Sequence, residues 1–166
     1  WTLDALAFLT VCTQRGIPAY LERSRSGQGG HIWVFFTSPV TATKARQLGM
    51  RLLRETMVLR GEMDLASYDR FFPNQDFVPK GGFGNLIALP LQKTPRAIGN
   101  TAFLNPDDSP LRPWPDQWAF LSQVRRLAPA QIDALLEVIP PIAVGPGTRG
   151  AVSEAVRRRY PAPSRI

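Results

Sequence analysis

The sequence predicts a mixed α/β chain of the α+β kind, with a mainly antiparallel sheet and flanking helices. Three observations predict it. Apolar residues recur at a helical period over residues 1–16 and 41–60; short stretches with a period of two lie between and after them; and the first two of those stretches are joined by a tight Gly/Ser turn that makes them a hairpin. The predicted order is α-β-β-α-β-β-α-α, with no internal repeat. A length of 166 residues fits one domain, and an apolar fraction of 44% is enough to bury a core without disulfides or structural metals.

Asp4 can cap the first helix, whose apolar positions Ala5, Leu6, Phe8, Leu9 and Val11 run on until Gly16 and Pro18 stop it. Ala19 to Ser24 reads as a strand. Across the turn, His31 to Thr37 alternates, so that His31, Trp33 and Phe35 share one face while Ile32, Val34 and Phe36 share the other. Both faces are apolar beyond the histidine, which places this strand at the centre of its sheet. Thr41 to Arg60 reads as a long helix, with Ala42, Ala45, Leu48, Leu52 and Leu59 on or near one stripe and Lys44, Arg46, Arg51 and Arg54 on a solvated face. After Gly61, Ser67 to Phe72 reads as a short strand carrying Asp69, followed by a polar loop through Asp76. Pro79 to Gly84 is a glycine-rich loop, and Asn85 to Leu91 a further strand ending in Gln92 and Lys93. Prolines at 95, 106, 110, 113 and 115 rule out long elements until Asp116 caps a helix through Arg126. Pro129 opens the last helix at its first turn, and that helix ends before Pro140 and Pro141. Gly145 to Ile166 is rich in Pro, Gly and Arg, with a short helix over Val152 to Arg159; it reads as a basic arm or a linker.

A formal net charge of +7 and a pI near 10.5 come from Arg far more than Lys, which favours a polyanionic partner. The single cysteine, Cys12, sits inside a helical apolar pattern and reads as an inert buried thiol, so no disulfide forms within the chain and a reducing, cytoplasmic compartment fits. No run of about 18 apolar residues argues for a membrane span. The chain opens on Trp1 at the edge of a helix and reads as a fragment.

The chemistry converges on Leu21 to Phe36, LERSRSGQGGHIWVFF. A plain hairpin needs only a Gly or Asn at its bend, yet this tip carries Arg23, Ser24, Arg25, Ser26, three glycines and the only histidine. Gly27, Gly29 and Gly30 let the backbone approach a ligand with its N–H groups, and the guanidiniums require that ligand to be anionic. A phosphate is the natural candidate, with the His31 imidazole at the mouth of the turn to reach one of its oxygens. No Gly-Lys-Ser/Thr follows the glycines and the next element is a strand, which excludes a Walker A loop, and the spacing does not match a dinucleotide fold either. One Cys and one His exclude a zinc cluster. Ser26, His31 and Asp69 can be written as a hydrolase triad, without a nucleophile elbow and with the arginines unexplained. Asp64, Asp69 and Asp76 are the acids near the loops; Asp69 pairs on paper with Arg70, and one or two carboxylates can complete a Mg²⁺ site but are thin for building one. A polar set, Gln75, Lys80, Asn85, Gln92, Lys93, Arg96 and Asn100, follows, in which Asn85 and Gln92 bracket an apolar strand and suggest groups facing a cleft.

The strings ERSRSGQGGHIWVFF, SYDRFFPNQDFVPKGGFGNLIALPLQK and GNTAFLNP with PWPDQWAFL resemble the archaeo-eukaryotic primase superfamily, in the branch found in bacterial TOTE conflict systems and related to CRISPR-associated primase-polymerases. The resemblance covers residues 1–127, a partial catalytic domain, and leaves 128–166 as a helical, Pro/Arg-rich extension or linker. It implies an RRM-like core, partial at its N-terminus, that joins nucleotides on a template with Mg²⁺ or Mn²⁺. The partners it implies are nucleoside triphosphates and single-stranded or primed nucleic acid, with a fused or associated helicase or nuclease and no membrane. The family's Ser-x-His-type element maps onto Ser26, Gly27, Gly29 and His31, with Arg25, Lys80, Asn85, Gln92 and Lys93 as further nucleotide contacts. Its later metal-binding acid maps onto Asp69 first and Asp76 second, and Arg23, Arg70 and Arg96 would follow the nucleic-acid backbone. The paired aspartates of the first motif lie just before the Trp-x-x-Asp helix in this branch, and the chain starts at Trp1. The expectation is therefore a domain lacking most of its metal site, with a non-catalytic nucleotide- or nucleic-acid-binding remnant of the same fold as the alternative.

Overall fold

The computed structural model describes residues 1–61, 68–78, 80–84 and 86–141. Ser67, Asn85 and the Gly145 to Ile166 tail, on which a short helix is expected from the sequence, lie outside the described residues. Within them the chain runs α1 (Thr2–Gln14), β1 (Tyr20–Arg23), β2 (Gly30–Trp33), α2 (Ala42–Arg60), α3 (Lys93–Arg96), β3 (Leu104–Asn105), β4 (Arg112–Pro113), α4 (Gln117–Ser122) and α5 (Pro129–Val138). This is an α+β fold with two small antiparallel sheets, as the sequence predicts.

β1 and β2 form the expected hairpin, in the register Tyr20 to Trp33, Leu21 to Ile32, Glu22 to His31 and Arg23 to Gly30. The period-two alternation holds across it, and the Trp33 and Phe35 rings stack at 6.2 Å. The central strand, however, is β1 rather than β2. Its far edge is joined by the 101–103 segment, through the Arg23 amide to the Ala102 carbonyl, the Thr101 amide to the Arg23 carbonyl, and a bridge from Glu22 to Phe103. β2 pairs only with β1 among the described residues.

Two expected strands are corrected. The described parts of Ser67 to Phe72 and Asn85 to Leu91 form no strand, and Leu86, Ile87 and Leu89 face solvent. Alternating apolar residues make a strand only when an edge is available to satisfy their N–H and C=O groups, and here the described backbone meets a neighbour only at its end, where the Leu91 amide donates to the Thr101 carbonyl. The pairing arises instead in the proline-rich stretch, where β3 meets β4 and the Trp114 amide donates to the Phe103 carbonyl. Pro113, which has no N–H, sits at that edge.

Helix α1 begins at Thr2 instead of being capped by Asp4; Asp4 lies in its first turn, where a carboxylate complements the helix dipole, and bonds Arg60 at 3.0 Å. Thr41 caps α2 by accepting the Lys44 amide, and Gly61 ends it at φ +67. Leu48, Leu52 and Leu53 are buried, whereas Leu59 is exposed and leaves the predicted stripe. The expected solvated face of α2 is largely engaged. Arg51 donates to the Leu136 and Ile139 carbonyls at the C-terminal end of α5, Arg54 to the Pro141 carbonyl, and Lys44 pairs with Asp133. Asp116 caps α4 through the Trp118 and Ala119 amides as predicted, but α4 stops at Ser122. The chain is pulled out of the helix beyond it, because the Leu127 amide donates to the Phe35 carbonyl and the Tyr20 hydroxyl accepts the Arg125 amide.

The core joins Val11 and Cys12 of α1 and Ile17 after it to Leu48 and Leu52 of α2, Ile132 of α5, and Leu127 and Ile139. Burial pushes the Cys12 thiol up to about 12, which keeps it protonated and inert. No helix among the described residues is long and apolar enough to cross a membrane.

Candidate functional site

The hairpin tip is built by its own side chains. The Ser24 amide donates to the Gly29 carbonyl and the Gly27 amide to the Ser24 carbonyl, with Gly27 at φ +78. The Ser26 hydroxyl lies 3.2 Å from that of Ser24 and accepts the Gln28 amide. These bonds leave the Ser26 and Gly29 amides without a partner among the described residues. Gly27 is required twice over: a side chain there would be strained at positive φ and would stand 2.9 Å from the Asn100 Oδ1. Asn100 donates in turn to the Arg25 carbonyl. Arg25 and Ser26 are exposed, at the open end of the turn.

His31 stands beside this tip, and its ring is fixed from below by a residue that the sequence reading did not single out. Glu22, 1% exposed, accepts at Oε2 from His31 Nδ1 at 3.1 Å and from the Trp33 indole N–H at 2.6 Å. A carboxylate oxygen only accepts, so Nδ1 carries the proton and Nε2 is the nitrogen left for a ligand. The hydrogen bond to Glu22 raises the imidazole above its ordinary value; partial burial opposes this, and the charges of Glu22 and Asp69 add to it. The signal for Glu22 was present in the sequence, because once the turn is set, positions 22 and 31 are cross-strand partners on one face.

The other predicted residues divide. Arg23 turns away from solvent and donates to the Gly99 and Leu111 carbonyls, holding those loops against β1. Asp69 is 72% exposed and 3.4 Å from Arg70 Nε, close enough for its charge to act on His31. Asp76 is held by Arg46 at 2.6 Å. Gln92 bonds the Leu89 carbonyl, and Arg96 lies over the Trp118 ring. Lys80 and Lys93 are exposed, and no hydrogen bond or ion pair among the described residues joins Lys80, Gln92 or Lys93 to the turn. Asn85 lies outside the described residues.

Two chemistries can be tested against this geometry. The hydrolase triad does not assemble, since His31 Nδ1 goes to Glu22 rather than Asp69 and the Ser26 hydroxyl is engaged by the Gln28 amide. A divalent-metal centre does not assemble either: Asp69 and Asp76 each have an arginine partner, and among the described residues no group of three or more His, Cys, Asp or Glu could hold a metal ion. What the arrangement can do is grip an anion, with amides unpartnered among the described residues, a guanidinium and an oriented imidazole on one short turn.

No curated protein matches the chain. The family model of the archaeo-eukaryotic primase domain of TOTE conflict systems matches residues 1–135, a span that takes in the turn, His31 and both acids. The chain belongs to the archaeo-eukaryotic primase domain family of TOTE conflict systems.

Proposed function

We propose that the β1–β2 turn binds the triphosphate of a nucleoside triphosphate, and that the chain serves template-directed nucleotidyl transfer on primed or single-stranded nucleic acid. The observation that carries this reading is the Glu22–His31 pair. It orients an imidazole whose charged form is favoured, with Nε2 left for a ligand, beside the Ser26 and Gly29 amides, which have no partner among the described residues, and the exposed Arg25. A polyphosphate satisfies all of these groups at once, and each charge-assisted hydrogen bond is about twice as strong as a neutral one. Members of this family are primase-like nucleotidyltransferases that use divalent metals. Besides the buried Glu22, Asp69 is the described acid whose charge reaches His31, so it is the residue we assign to a metal, although a single exposed carboxylate does not make a centre. Lys80, Asn85, Gln92 and Lys93 for the nucleotide, Arg70 and Arg96 for the strand, a fused helicase or nuclease and a cytoplasmic setting belong to the same proposal.

A second reading, nucleotide binding without chemistry, is favoured by the arginine pairing of Asp69 and Asp76. Equilibrium binding of a labelled nucleoside triphosphate to the whole chain, against the unphosphorylated nucleoside, tests what the readings share: the triphosphate binds and the nucleoside does not compete. Competition by the nucleoside at equal concentration sinks both. Primer extension by the same protein with Mg²⁺ or Mn²⁺ supports transfer, and triphosphate binding with no extension supports the second reading.

A further inference from the structure

Beside the phosphate turn, and sharing a wall with it, lies a cleft of about 430 Å³ lined by Arg96, Gly99, Trp114, Asp116 and Trp118 among others. The shared wall is the Gly99–Asn100 pair. Gly99 lines the cleft and its carbonyl holds Arg23, while Asn100 contacts Gly27 and the Arg25 carbonyl.

Trp118 is the unusual member. It is 64% exposed, although a large aromatic face in water is unfavourable, and the two residues before it hold its backbone. Gln117 is buried and uses its side-chain amide as a substitute strand, accepting the Phe103 amide at 2.7 Å and donating to the Phe103 and Trp114 carbonyls at 2.9 Å. Asp116 accepts the Trp118 and Ala119 amides. The backbone that carries the ring is thus held in place. The Arg96 guanidinium carbon stands 6.0 Å from its centroid. Trp114, also in the lining, stacks on Phe120 at 5.5 Å and 14°, and its buried indole N–H has no acceptor among the described residues.

A flat exposed aromatic surface with a guanidinium beside it matches an unstacked base better than an aliphatic or acidic ligand. Arg96 is the cation of the lining; Lys93 opens the same short helix α3, and Arg112 of β4 precedes the lining residue Pro113, so further cations lie close by in the chain for the phosphates of a strand. A chain of net charge +7 adds the long-range attraction. We propose that this cleft seats one unpaired nucleobase of a single nucleic-acid strand, stacked on Trp118, with Arg96 against the adjoining backbone. The inference rests on the reading that the chain handles nucleic acid, and it adds the place where the strand is held.

The test is fluorescence anisotropy of the whole chain with a labelled single-stranded oligothymidylate and with an abasic strand of the same length. Trp118→Ala weakens oligothymidylate binding about tenfold, Trp118→Phe keeps most of it, and the abasic strand binds parent and Trp118→Ala alike. Arg96→Gln lowers the slope of log affinity against log salt by about one, whereas Trp118→Ala leaves the slope unchanged. Nucleoside triphosphate binding is unchanged in Trp118→Ala, which separates failure of this inference from failure of the triphosphate site. Equal affinity of parent and Trp118→Ala for oligothymidylate, no binding of it by the parent, or a proline-rich peptide that displaces it from Trp118 overturns the proposal. The exposure of Trp118 makes misfolding an unlikely cause of any loss, and an unchanged thermal midpoint checks that point.

Discussion

At the scale of single residues, the buried Glu22 carboxylate does two things with one oxygen: it orients the His31 ring and favours its protonated form. Because the folded-state value of His31 is raised, the stabilisation from its charged form is complete below its ordinary value of about 6.5 and is lost as pH rises through the folded value. Glu22→Gln removes the charge and leaves only a neutral amide oxygen to accept from Nδ1, so an NMR titration of His31 should show a lower midpoint in the variant than in the parent; an equal or higher midpoint contradicts the pairing. The histidine and its face were legible in the sequence, because alternation alone puts His31, Trp33 and Phe35 together. Glu22 was not, since an acid inside a short apolar strand reads as an outward charge until the register of the turn places it opposite the imidazole.

At the scale of elements, long amphipathic helices were legible and short strands were not. A cap and a stripe are local signals, and Thr41 and Gly61 bound α2 as the sequence states. Pairing is non-local: Phe103 finds its second partner in the Gln117 side chain, which no periodicity reveals. Gln117→Ala leaves the Phe103 amide and carbonyl buried without that partner, and chemical denaturation should show a loss of about 1–3 kcal/mol, with a loss under 0.5 kcal/mol counting against the role. Arg51 ties α2 to the last carbonyls of α5, so Arg51→Ala should cost about 1–2 kcal/mol in the same assay, as expected for charge-assisted bonds to a partly buried helix end. Gly49 lets Phe71 lie on α2 and so anchors the segment that carries Asp69. A Cβ there would sit 2.0 Å from the ring, so Gly49→Ala should lower the thermal midpoint despite the gain in helix propensity, and a raised midpoint would show that Phe71 moves aside freely.

At the scale of the molecule, a helical core under a small sheet leaves the basic hairpin tip and the aromatic cleft side by side, joined through Gly99 and Asn100. Composition announced the anionic partner, and the strings around the turn announced the family; neither announced that the cations of α2 are taken up by α5 and Asp76. The measurement that bears most directly on the triphosphate site is the affinity of the whole chain for a nucleoside triphosphate, in parent and His31→Ala, across pH. Titration of the ligand's own phosphate is common to both proteins and cancels in their ratio. The account predicts that the parent binds about tenfold tighter at pH below the raised His31 value and that the ratio falls toward one as pH rises through it. A ratio of one at every pH would contradict it.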